Sequence, residues 1–146
     1  MKSTAETYHE ASLEHIETAR QFYEAGDYSL CHYFAGLAVE CMLRAYLRSA
    51  DKFDADHNLE TLADKANFYE LVPLAQRENY GAKFSEINQR WRSNHRYFAS
   101  RQVQKFLRSI KADAGTKGNL FKNNSRTMLN LALNVINLGE LKWKSK

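Results

Sequence analysis

Apolar positions recur at three- and four-residue steps over most of the chain, the spacing of helices that bury one face. The pattern starts over residues 4–25, where Ala5, Tyr8, Ile16, Ala19 and Phe22 fall on one side. Gly26-Asp27 interrupts it, and Asp27 is placed to cap the next helix. Residues 28–49 are apolar almost all round: Leu30, Phe34, Leu37, Cys41 and Ala45 form a band that Val39, Leu43 and Leu47 widen. Such a helix belongs at the centre of a bundle. Its polar stripe is narrow and runs His32, Gly36, Glu40, Arg44, Arg48, each four residues after the last. Gly36 costs up to about 1 kcal/mol in a helix interior, which predicts close approach of another backbone.

Residues 51–58 read as a loop, and His57 or Asn58 opens a short helix carrying Leu59, Leu62, Ala63 and Ala66. The only proline, Pro73, marks a bend within 68–74. Helical spacing returns over 78–91 with Tyr80, Phe84, Ile87 and Trp91, and over 100–112 with Val103, Phe106, Leu107 and Ile110. After a loop at 114–118, residues 120–138 form the last helix, with Phe121, Met128, Leu131, Ala132, Val135 and Ile136. The basic end, 141–146, is expected to fray. No segment has the alternation of a strand. The expected fold is an all-α bundle of about five or six helices, four of them long, in one domain spanning 1–146.

Composition adds limits. With 146 residues, 44% hydrophobic and 26% charged, the chain can bury one core without staples. No apolar run reaches the roughly 18 residues that span a bilayer, and residues 1–6 do not read as a signal peptide. Cys31 and Cys41 are ten residues apart on one helix. They are too far apart to pair there, and read as reduced core residues of a cytoplasmic protein. No Cys/His cluster has metal-ligand spacing, so neither metal nor cofactor is expected. The net charge is +4 with a pI near 9.1. Basic residues gather late: from Arg90 to the end only Asp113 and Glu140 are acidic. That gives the C-terminal half a positive face suited to RNA, DNA or an acidic partner.

The densest chemistry lies between residues 90 and 97. Arg90 stands five residues before His95, and Tyr97 follows two residues later, with Arg92 and Arg96 among them. RNA carries its own nucleophile, the 2'-hydroxyl. Cleavage needs a base for that hydroxyl, an acid for the leaving 5'-oxygen and positive charge on the phosphate. Histidine titrates in the right range, and arginine grips two phosphate oxygens at once. One histidine cannot easily do both jobs, but a two-fold dimer would supply a second. Arg92, Arg96 and Arg101 are the arginines placed to hold RNA. The same residues also fit a plain role, with His95 capping a helix and Arg90 solvated on its surface. Glu40 and Arg44, one helical turn apart, suit a structural ion pair. Alternatively Glu40 orients an arginine of 90–96. His9 and His15 are expected to face water, and His57 to serve its loop.

The run over 33–47, YFAGLAVECMLRAYL, resembles the second helix of HEPN domains (higher eukaryotes and prokaryotes nucleotide-binding), A-G-x-A-x-E-x-x-L-K-A-x-L. His57-Asn58-Leu59 with Leu62 is similar to their H-x-L-x-x-L. Arg90, His95 and Tyr97 fit the family's R-x-x-x-x-H and its toxin-type extension R-x-x-x-x-H-x-Y. The resemblance implies a helical bundle, usually a homodimer, with the motif at the dimer cleft. Active members are metal-independent endoribonucleases that leave a 2',3'-cyclic phosphate. Toxin members pair with a nucleotidyltransferase antitoxin that modifies the motif tyrosine, here Tyr97. A second version of the family has Trp followed by Arg-Tyr without the nuclease pair, and Trp91, Arg96 and Tyr97 match that version too. The resemblance therefore leaves a nuclease and a non-catalytic binding module both open.

Overall fold

The computed structural model describes residues 4–47, 58–112 and 118–144. Six α-helices lie among them: α1 (Ala5–Glu24), α2 (Tyr28–Ala45), α3 (Leu59–Lys65), α4 (Arg77–Arg90), α5 (Ser100–Ser109) and α6 (Leu120–Lys144). Short 3-10 turns at Phe68–Leu71, Leu74–Gln76 and Ser93–Tyr97 join α3 to α4 and α4 to α5. The described residues contain no strand.

Side-chain caps set the helix starts. The Thr4 hydroxyl accepts the Thr7 amide at 3.2 Å, Asp27 the Leu30 amide at 3.2 Å, and Asn58 the Thr61 amide at 3.0 Å. Between α1 and α2 the chain turns at Gly26 with φ +82°, a conformation a side chain would strain. The α1–α2 hairpin then stacks on α6.

α2 is the centre, as its all-round apolar surface predicts. Cys31, Ala35, Ala38, Val39, Met42 and Leu43 are sealed from solvent, while Leu37 is only partly buried. Both cysteines are free, and burial pushes each thiol up to about 12, which makes them inert at neutral pH. A second, smaller cluster of Val103, Leu107 and Phe121, with Tyr28, Phe98 and Phe106 against it, seats α5 beside the first turns of α2 and α6.

Several expectations need correction. The polar stripe of α2 needs none: His32, Gly36, Glu40 and Arg44 are all buried, and Glu40 meets Arg44 as their spacing predicts. What approaches Gly36 is an indole, not a backbone, because a Cβ there would stand 2.2 Å from the Trp91 ring. His9 and His15 do not face water. His9 binds Glu140 and stacks on Trp143 at 4.4 Å, and His15 meets Phe34 at 5.5 Å. The His9 contacts, with the Lys144–Glu140 pair at 3.5 Å, hold the end of α6 helical to Lys144 where fraying was expected. His57, Arg48 and the loops at 51–57 and 114–117 lie outside the described residues.

Candidate functional site

Trp91 anchors the site. It leaves α4 in an extended conformation, and its indole lies flat in the space that Gly36 leaves on α2. The indole N–H donates to the Tyr33 carbonyl at 3.0 Å, which satisfies the ring's one polar group in the core. With Trp91 fixed, the Ser93–Tyr97 turn folds the chain back and drives His95 inward.

His95 is buried, with 3% of its surface exposed. It was expected outside the core. Its Nδ1 accepts the Arg92 amide at 3.2 Å and faces His32 Nε2 at 3.0 Å. The other nitrogen of His32 lies 2.9 Å from the Asn124 amide, and the Asn124 carbonyl accepts from Arg90 Nη1 at 2.9 Å. Arg90 and His95 are thus the two ends of one hydrogen-bonded chain through α2 and α6. Phe98 and Phe106 cover the His95 ring, at centroid distances of 5.1 and 4.8 Å. His95 Nε2 is buried and has no hydrogen-bond partner among the described residues. Burial, and then the Arg92 charge, lower the His95 pKa to about 4; burial, and then His95 and Arg90, lower that of His32 to about 3. Both rings are neutral at physiological pH.

Arg90 also pairs with Glu86 at 3.3 Å and keeps 17% of its side chain exposed. It lines a cleft of about 400 Å³ between α4 and the end of α5, together with Gln89 and Lys111. Glu40 and Arg44 pair with each other at 3.4 Å, both buried. Glu40 lies eight residues along α2 from His32, which is roughly 12 Å on a helix. The pair is therefore not gathered with His95.

The other candidates stand in solvent. Tyr97 is 72% exposed, and the Arg96 guanidinium lies over its ring at 4.6 Å. Arg92 donates to the Trp91 carbonyl at 2.9 Å and to that of Asn88, and lies 5.5 Å from the Phe106 ring. Arg101 is exposed in the first turn of α5, with Lys105 and Arg108 further along the helix. Among the described residues no three His, Cys, Asp or Glu side chains gather as a metal site, and no helix is long and apolar enough to cross a membrane.

The HEPN domain family model matches residues 5–142. The chain belongs to the HEPN domain family. Comparison with curated proteins and with solved structures finds no match. Within this HEPN bundle, sequence reasoning singled out Arg90, His95 and, on the polar stripe of α2, His32, but not Asn124, which completes the link between them. Asn124 carried a signal, since it falls on the apolar side of α6 between Phe121 and Met128. A polar residue on a buried stripe needs a partner.

Proposed function

We propose that this HEPN protein is a non-catalytic module that binds single-stranded RNA on the face carrying Arg92, Arg96, Tyr97 and Arg101. The observation that carries this is the state of His95: buried, neutral, and with Nδ1 already accepting the Arg92 amide and facing His32. A ring so held has no lone pair to take a proton from a 2'-hydroxyl. The neighbouring face has what binding needs. Tyr97 offers an exposed ring on which a base can stack, and the arginines offer charge for the phosphates. Trp91 buried on Gly36 gives the tryptophan of the Trp…Arg-Tyr version of the motif a structural role in this chain, which supports that version.

The test is a fluorescence anisotropy titration with a labelled single-stranded RNA. Tyr97→Ala should weaken binding by about 1 kcal/mol or more, roughly fivefold. Arg96→Ala should lower the salt slope by about one ion. Full affinity in both variants removes this face as the binding site.

A second function, cleavage, has one observation in its favour: Arg90 and His95 are tied into a single network whose last nitrogen is unpartnered. Two copies would form the site as a homodimer. One His95 would take the 2'-hydroxyl proton while that oxygen bonds to phosphorus. The bond from phosphorus to the 5'-oxygen breaks, and the second His95 gives that oxygen its proton. The products are a 2',3'-cyclic phosphate and a 5'-hydroxyl, with Arg90 holding the phosphate and no metal required. This route demands that Phe106 move aside and that the hydrogen bonds on His95 Nδ1 break. In a toxin pair, the exposed Tyr97 is open to modification by a nucleotidyltransferase antitoxin.

A further inference from the structure

The chain from Arg90 to His95 has a direction. A guanidinium can only donate, so Asn124 turns its carbonyl to Arg90, at 2.9 Å. Its amide nitrogen then faces His32 Nδ1, at 2.9 Å. That nitrogen must accept, so the His32 proton sits on Nε2, 3.0 Å from His95 Nδ1. The Arg92 amide, which also can only donate, points at the same His95 nitrogen from 3.2 Å. Two donors converge on His95 Nδ1, and the His95 proton is left on Nε2. Groups that cannot accept fix the direction at both ends. Reversing it would set hydrogen against hydrogen between Asn124 and Arg90, and again between His95 and Arg92.

We propose that His32 and Asn124 are positioning residues that fix His95 as a neutral Nε2–H donor, so that this position of the motif offers a ligand a hydrogen and not a lone pair. The complementary ligand atom is an acceptor oxygen, such as a phosphodiester oxygen or a base carbonyl. The ligand role rests on the binding function proposed above; the tautomer does not.

The surroundings agree with a neutral pair. The charged groups acting on the two rings are the Arg90 guanidinium at His32 and the Arg92 guanidinium at His95. Both oppose a second positive charge. A second proton on His95 would also have to fit between Nδ1 and two hydrogens already aimed at it. His95 Nε2–H, buried beneath Phe98 and Phe106, is the one polar side-chain atom of the described residues that is sealed from solvent without a partner. An acceptor oxygen reaching it as Phe106 gives way would complete the chain. No acceptor among the described residues does so.

The test is long-range proton–nitrogen NMR of the full chain labelled at its imidazole nitrogens, read without RNA. At pH 7.5 both rings should be neutral and protonated on Nε2. At pH 5.5, where a solvated histidine is about 90% charged, both should be unchanged. Asn124→Asp replaces the amide with a group that only accepts, so His32 should gain a proton on Nδ1. A wild-type ring protonated on Nδ1, or titrating near pH 6.5, overturns the proposal, as does an Asn124→Asp protein whose His32 Nδ1 stays bare. The wild-type spectra decide the question even if the variant does not fold. A protein that gives these spectra and yet binds no RNA keeps the donor assignment and loses the binding function.

Discussion

Trp91 lies so close to Gly36 that a Cβ on the glycine would stand 2.2–2.3 Å from three atoms of the indole. The glycine is part of the site, because the indole it admits fixes where α4 ends and where the His95 turn begins. Gly36→Ala would gain up to about 1 kcal/mol of helix propensity on an exposed helix. Here the ring must move instead, and overpacking of this kind costs about 1–3 kcal/mol. Urea denaturation should show a net loss, and Trp91 fluorescence should shift as the ring leaves its pocket. A stabilised variant would mean that the pocket is slack.

Leu43 and Leu37 separate a sealed core position from a half-buried one on the same helix. Leu43 has no exposed surface and Leu37 keeps some. Leu43→Ala should cost about 2–5 kcal/mol and Leu37→Ala clearly less. Equal losses in denaturant titrations would contradict this packing of α2.

Glu40 and Arg44 form a buried ion pair at 3.4 Å. Removing one partner leaves the other charge desolvated. Glu40→Ala should therefore destabilise by about 3–5 kcal/mol, far beyond the 0–1 kcal/mol of a surface pair. Replacing both residues by apolar side chains of similar volume should recover most of that loss. A single-variant loss below about 1 kcal/mol would show that water reaches the pair.

His32 and His95 tie stability to pH. Their folded pKa values, about 3 and about 4, lie below the ordinary 6.5. The unfolded chain thus binds more protons as the pH drops through 6.5. The stability that these neutral rings allow is full above that value, and is lost as the pH falls towards 4 and then 3. Each ring contributes a slope of up to about 1.4 kcal/mol per pH unit. Denaturant titrations from pH 7.5 to 4.5 should show the decline, and His32→Asn should flatten it. A flat profile in the wild type would mean that the rings hydrate before the fold opens.

Much of this was legible in the sequence because local rules govern it. The helix periods, the Asp27 and Asn58 caps and the apolar girth of α2 need no tertiary knowledge. The motif around Arg90 and His95 was legible as well. Its state was not, because His95 acquires its partner from α2, 63 residues away, and its cover from Phe106 on α5. Periodicity marks His32 as polar on an apolar helix, but it cannot say that an imidazole waits opposite. His9 and His15 read as surface residues for a similar reason: Trp143 and Phe34, which receive them, lie on other helices.

Incubation of an end-labelled single-stranded RNA with saturating wild-type protein in excess chelator tests the function most directly. Binding without cleavage predicts RNA that is shifted on a native gel and intact on a denaturing one, over hours and across neutral pH. Fragments ending in a 2',3'-cyclic phosphate, lost in His95→Ala and in Arg90→Ala and not formed from DNA of the same sequence, would contradict it and assign the motif to catalysis.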